Sequence, residues 1–173
     1  MSKKVAQRPD WLNASQVFDI YSLSGCTSCY FFDYIRYWKY NGYWLFDSPT
    51  IIKEIVAELK LDVSGTTLFY YEVFEQEFDE ESGEWSAFEP EPSFSTHVEA
   101  PASTKLEGYD VVSFSAGSNP ECSPLSCNHL AETLPTNQHC LFESFGEAKH
   151  SLEAGKFKEC EPGPFRIFAV YTV

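Results

Sequence analysis

The chain has 173 residues, enough for one substantial core or for two small halves that share one. At 43% hydrophobic and 17% aromatic it is too apolar to be disordered, and no run approaches the roughly 18 apolar residues of a membrane span. A net charge of −14 argues against binding nucleic acid, whose phosphates demand Lys and Arg, and suits solubility or a basic protein partner.

Residues 1–16 read as an N-terminal arm, with Trp11 and Leu12 as an anchor. Basic residues there have no apolar stretch behind them, so no signal peptide is predicted and the expected location is cytoplasmic. Val17 to Leu23 is β-branched and aromatic, a predicted strand ended by Ser24-Gly25. After Cys26 and Cys29, the positions Phe31, Tyr34, Ile35 and Trp38 share one helical face, which predicts a helix to about Tyr40. Asn41-Gly42 breaks it, and Tyr43 to Phe46 is a short strand. The aromatics of residues 30–46 serve either core packing or a stacking platform for a sugar or base.

Ser48-Pro49 is a helix start: the hydroxyl caps free amides, and proline at the first helical position lacks one. Ile51, Ile52, Ile55, Val56 and Leu59 form its apolar stripe, and Asp62 to Gly65 ends it. Thr66 to Phe78 reads as one long strand, turned back at Glu81-Ser-Gly83 into a return strand, Trp85 to Phe88. From Leu61 to Thr104 there is no Lys or Arg, while carboxylates cluster between Glu72 and Glu91. Glu89-Pro-Glu-Pro92 is extended, and residues 92–107 read as a linker.

Beyond it the first pattern returns. Asp19-Ile-Tyr-Ser-Leu-Ser-Gly-Cys26-Thr-Ser-Cys29 is echoed by Asp110-Val-Val-Ser-Phe-Ser, a loop, and Cys122-Ser-Pro-Leu-Ser-Cys127. Leu45-Phe-Asp-Ser48 is echoed by Leu141-Phe-Glu-Ser144, and Tyr71-Glu-Val-Phe74 by Phe168-Ala-Val-Tyr171. The second copy predicts a strand at Tyr109 to Phe114, a short helix at Asn128 to Leu134 and a strand at His139 to Phe142. A helix opened by the capping box Ser144-Phe-Gly-Glu147 follows, then a central strand at Phe165 to Val173. The expected fold is α+β: two diverged β–Cys loop–α–β–α–β copies with pseudo-twofold symmetry, residues 17–75 and 109–173. An acidic hairpin and linker, residues 76–108, are inserted between them in one domain.

Paired cysteines in a cytosolic chain bind metal or do redox chemistry more often than they form disulfides. Cys26, Cys29, Cys122 and Cys127 have the spacing of two zinc knuckles, and equivalent loops of a duplicated fold can meet to form one structural zinc site. Cys140, Cys160, His129 and His139 are substitute ligands. Ile20 to Cys29 followed by a helix also resembles the strand–Cys-x-x-Cys–helix start of glutaredoxins and thioredoxins. That resemblance implies a thiol–disulfide oxidoreductase, with Cys26 as nucleophile and Cys29 as resolving thiol. The second copy keeps the pair while changing its spacing, which suits a metal clip or loop staple better than a dithiol active site.

The principal expectation is therefore a protein-binding role, of the inhibitor or immunity type, that neutralises a basic partner. Its contact surface is the hairpin: Glu75, Glu77, Asp79 and Glu81 select basic charge, while Phe78, Trp85 and Phe88 supply aromatic anchors.

Overall fold

The computed structural model describes residues 2–4, 48–60, 66–88, 99–113, 123–160 and 162–173. The strand expected at Val17 to Leu23, the aromatic helix expected after Cys29, the strand expected at Tyr43 to Phe46, Cys26, Cys29 and Cys122 lie outside the described residues, as does Glu89 to Pro92, expected to be extended. In chain order the elements are β1 (Ser2–Lys4), α1 (Pro49–Leu59), β2 (Thr66–Val73), β3 (Gln76–Asp79), β4 (Glu84–Ala87) and β5 (Lys105–Ser113). They continue with α2 (Pro124–Cys127), a 3-10 turn (Leu130–Glu132), α3 (Phe145–Glu153) and β6 (Phe165–Thr172). The class is mixed α+β, with every strand pairing antiparallel.

Both long helices begin where their caps dictate. The Ser48 hydroxyl accepts from Ile51 N–H at 3.5 Å, and Pro49 occupies the first turn. Helix α1 then buries Ile52 and Ile55 and leaves Lys53, Glu54 and Glu58 in solvent. Ser144 and Glu147 complete a reciprocal capping box: the hydroxyl accepts from Glu147 N–H at 3.2 Å, and the carboxylate accepts from Ser144 N–H at 3.0 Å. Ala148 and Leu152 are the buried face of α3.

Strand β6 is the centre of the sheet. Its run Phe165-Arg-Ile-Phe-Ala-Val-Tyr-Thr172 pairs with β5 along one edge. Along the other edge it meets β2 and then β3, Phe69 to Val73 against Phe168 to Thr172 and Phe78 against Phe165. The stretch expected as one strand is thus two. Between the Val73↔Phe168 and Phe78↔Phe165 pairs, four residues on the β2–β3 side oppose two on β6, so the chain bulges at Phe74 and Glu75. Phe74 N–H still donates to Ile167 O at 2.9 Å.

Period-two alternation splits the apolar residues between the two faces of the sheet. Phe165, Ile167, Val111 and Phe78 face one cluster with Phe142, Ala148, Leu152 and Phe157. Phe168, Val170, Val112, Phe69 and Tyr71 face the other, with Leu141. Truncating Phe165 or Phe168 to alanine costs about 3–5 kcal/mol by the usual cost of emptying such a site.

Three further expectations change. Ser2–Lys4, placed in a loose arm, is an edge strand paired with Thr66 to Leu68; main-chain bonding asks nothing of its side chains. β5 starts at Lys105, inside the stretch read as linker, because a bulge at Glu107 joins Lys105-Leu106 to the same ladder as Gly108. Gly108 has φ +143°, and a Cβ there would stand 2.7 Å from both Leu141 Cβ and Phe142 O. His139 to Phe142, finally, is a turn rather than a strand. Asn137 organises it by accepting from His139 and Leu141 N–H on Oδ1, and only Phe142 bridges to Tyr109.

Candidate functional site

The hairpin of β3 and β4 is built by its own turn chemistry. Gln76 to Asp79 pairs with Glu84 to Ala87, and the four residues between them form the turn. Asp79 Oδ1 accepts from the N–H groups of Glu81 at 2.8 Å and Ser82 at 3.3 Å. Gly83 takes the left-handed φ of +74° and returns its N–H to Asp79 O.

Of the residues expected at a contact surface, Glu75, Asp79 and Glu81 are exposed and Glu77 is half-buried. The aromatics have other duties. Phe78, 4% exposed, belongs to the core. Trp85 is half-buried against Phe78 and Phe74, with ring centroids 5.1 and 5.8 Å away. Its indole N–H donates to Glu153 Oε1 at 3.0 Å, and Lys149 Nζ lies 5.2 Å from the ring centre. Trp85 therefore clasps the hairpin to α3. Phe88 lies 3.6 Å from the guanidinium carbon of Arg166, a fully buried side chain on β6 that also donates to Phe74 O at 3.4 Å.

Beneath the hairpin is a cleft of about 790 Å³. Glu77, Asp79, Glu80 and Glu81 line it with Ser86, and Lys158 and the segment Pro162-Gly-Pro164 complete the wall. Burial pushes the Glu77 carboxyl up from its ordinary range, Arg166 opposes that and Asp79 adds to it. Burial likewise raises Glu80, with Lys158 pulling it down and the Asp79 and Glu81 carboxylates pushing it up. Among the described lining residues four carboxylates face one cation, Lys158, which leaves the lining net negative.

Glu80 belongs to the acidic cluster legible in the sequence but is not singled out there as a site residue, whereas Lys158 and the proline segment escape the sequence reading because their proximity to the hairpin comes only from folding. Glu161-Pro-Gly-Pro164 gave a signal, two prolines beside a glycine, that reads as a turn but names no neighbour.

Other polar clusters hold the fold. Asp110, fully buried on β5, accepts from the Ser123 hydroxyl at 2.7 Å. Burial and the Asp110 carboxylate together push the Tyr71 hydroxyl well above its usual pKa. Glu107 receives Lys105 Nζ at 3.0 Å and the Thr172 hydroxyl at 2.8 Å, with His139 Nε2 at 3.4 Å. Burial raises that carboxyl, but the two hydrogen bonds and the cations outweigh it and leave the pKa below its ordinary value.

The cysteine expectations fall mostly elsewhere. Cys26, Cys29 and Cys122 lie outside the described residues, and of Cys127 only the backbone, closing α2, is described. Cys140 is buried at a left-handed φ of 59°, Cys160 is half-buried, and His129 is exposed beside Glu132. Among the described residues no three His, Cys, Asp or Glu side chains gather as a metal site. No helix among them is long and apolar enough to cross a membrane. In comparisons with known proteins, no family model, curated protein or solved structure matches the chain.

Proposed function

We propose that this chain acts by binding a basic protein, as an inhibitor or immunity-type neutraliser, and that the cleft under the β3–β4 hairpin is its main contact. The convergence of Glu77, Asp79, Glu80 and Glu81 on one cleft, with Lys158 the one cation among the described lining residues, carries the reading. Exposed Glu75 and Glu84 extend the same negative surface. Such a surface speeds capture of a positive partner and disfavours acidic ones. Trp85 and Phe88 contribute what remains exposed of their rings, while the core position of Phe78 removes it from the contact. The proposed setting is the cytoplasm, where thiols such as Cys160 stay reduced.

The test is capture from lysate with the partner identified by mass spectrometry. Glu75→Lys, Glu77→Lys and Glu81→Lys are reversed together, whereas Asp79 is changed to Asn because its carboxylate also builds the turn. A basic protein held by the parent and lost by this variant is the expected result. Equal capture by the two proteins overturns the reading.

We further read the fold as two diverged copies about a pseudo-twofold axis, with the hairpin inserted after the first. The β2–β6 register supports this. Matching Tyr71 to Phe168 and Phe74 to Tyr171 sets equivalent positions 97 residues apart. The pair Tyr71↔Val170 then maps onto Val73↔Phe168, and Glu72↔Ala169 maps onto itself, as a twofold axis through that pair requires. The matching hydroxyl caps of Ser48 and Ser144 also agree. Cys26, Cys29, Cys122 and Cys127 are proposed to share one structural zinc, for which elemental analysis of the purified protein expects one zinc per chain.

A further inference from the structure

Among the described residues, the sheet face that carries α3 is fully covered at one end of β6 and only partly covered at the other. Phe165 and Ile167 lie under the first core cluster. Two and four residues beyond Ile167, Ala169 and Tyr171 are half-buried on that face, while Val170 on the opposite face is fully buried. The register fixes their surroundings. Tyr171 stands between Tyr70 on β2 and Leu106 on β5, and Ala169 stands between Glu72 and Tyr109. Three half-buried tyrosines, an exposed carboxylate and a leucine 41% exposed thus surround a methyl group.

Its walls are held in place. The Tyr171 hydroxyl donates to Glu72 Oε2 at 2.7 Å, and its ring lies 6.0 Å from that of Tyr70 at an interplanar angle of 42°. That hydrogen bond, with burial and the Glu72 charge, pushes Tyr171 up to about 12, so the ring stays neutral. Tyr109 meets Phe145 of α3 edge to face at 6.1 Å. The tyrosine rings are half-buried, and Glu72 beside them is exposed. Tyrosine faces attract cations, and the one charge among these six residues is negative. Lys105 sits on the other face, paired with Thr172 and engaged by Glu107.

We propose that this platform is a second docking face, taking an arginine or lysine side chain of a basic protein, with its charged head over Tyr70 and Tyr171 and paired to Glu72. It deepens the reading of a basic partner and rests on it. The platform and the acidic cleft flank opposite ends of β6, six residues apart, or about 20 Å along the strand. Two different side chains of the partner must therefore fill them.

The test uses the full chain labelled with 15N and titrated with octa-arginine, with octa-glutamate as the control. Amide signals of Tyr70, Glu72, Ala169 and Tyr171 are expected to shift with octa-arginine alone, also when Glu75, Glu77 and Glu81 are reversed to Lys. Tyr70→Val and Glu72→Gln should each weaken the binding read at these signals by about 3- to 5-fold. Should Tyr70→Val fail to fold, Glu72→Gln with Tyr171→Phe decides the same point. Shifts confined to the hairpin overturn the platform and leave the cleft standing. Platform shifts that survive the substitutions, or that octa-glutamate reproduces, also overturn it. Silence at both places removes the basic partner and the platform together.

Discussion

At the scale of single residues, the cleft carboxylates oppose the fold they belong to. Glu80 has a pKa raised by burial and by its Asp79 and Glu81 neighbours, so the folded chain binds its proton more tightly than the unfolded chain does. The sign follows directly: below the carboxylate range the group costs nothing, and as pH rises through that range its ionisation lowers stability. Glu80→Gln removes this cost. Because the side chain is only half-buried, solvent screening limits the gain to about 0.5 kcal/mol or less at pH 7, vanishing below about pH 4. Urea unfolding at the two pH values checks it. The same substitution should weaken capture of a basic partner, since a charge kept at a cost to stability is one retained for binding. A variant less stable at pH 7 than the parent contradicts this account of the cleft.

At the scale of elements, the hairpin depends on the helix it is clasped to. Trp85→Phe keeps a ring against Phe74 and Phe78 but deletes the donor to Glu153. The expected loss is about 1 kcal/mol in urea unfolding, with faster amide exchange in β4 and unchanged exchange at Ile167 in β6. Were Trp85 only a surface anchor for a partner, stability would not move. What the sequence reveals follows the range of the forces involved. Ser48-Pro49 and Ser144-Phe-Gly-Glu147 are legible because a cap satisfies amides three residues away. The apolar run of β6 is legible because both of its faces are buried around Phe165 to Phe168. The bulge at Phe74 and Glu75 is not, since it arises from the register each half of the stretch takes against β6. The acids of the cleft can be read in the sequence, whereas Lys158 and Pro162 to Pro164 reach it through tertiary folding alone. Phe78 shows the converse error. An aromatic between Glu77 and Asp79 reads as a surface anchor, yet alternation turns its side chain inward while its neighbours face out.

At the scale of the whole molecule, the two halves of the sequence hold one core between them. Phe78 joins Val111, Phe142, Phe157 and Phe165 in one cluster, and Phe69 and Tyr71 join Val112, Phe168 and Val170 in the other. The strands agree: β6 draws β2 and β3 from one half and β5 from its own. The second half supplies most of both clusters, and the first completes them with Phe78, Phe69 and Tyr71 and pairs the edge of β6 that β5 leaves. Opening the backbone between Ser93 and Phe94 should then leave an assembly, because the shared sheet and core offset the translational and rotational freedom lost when the fragments associate, about 4–15 kcal/mol. Co-expressed fragments carrying residues 1–93 and 94–173 are expected to co-purify as a one-to-one complex with the sheet signature of the intact chain, and each alone to aggregate or remain unfolded. Phe168→Asp in the second fragment, placing a charge opposite Val73 and Asp110 in the core, should abolish the assembly. Two fragments that fold separately would mean independent domains, and the pairing of β2 with β6 could not then be the seam on which the molecule is built.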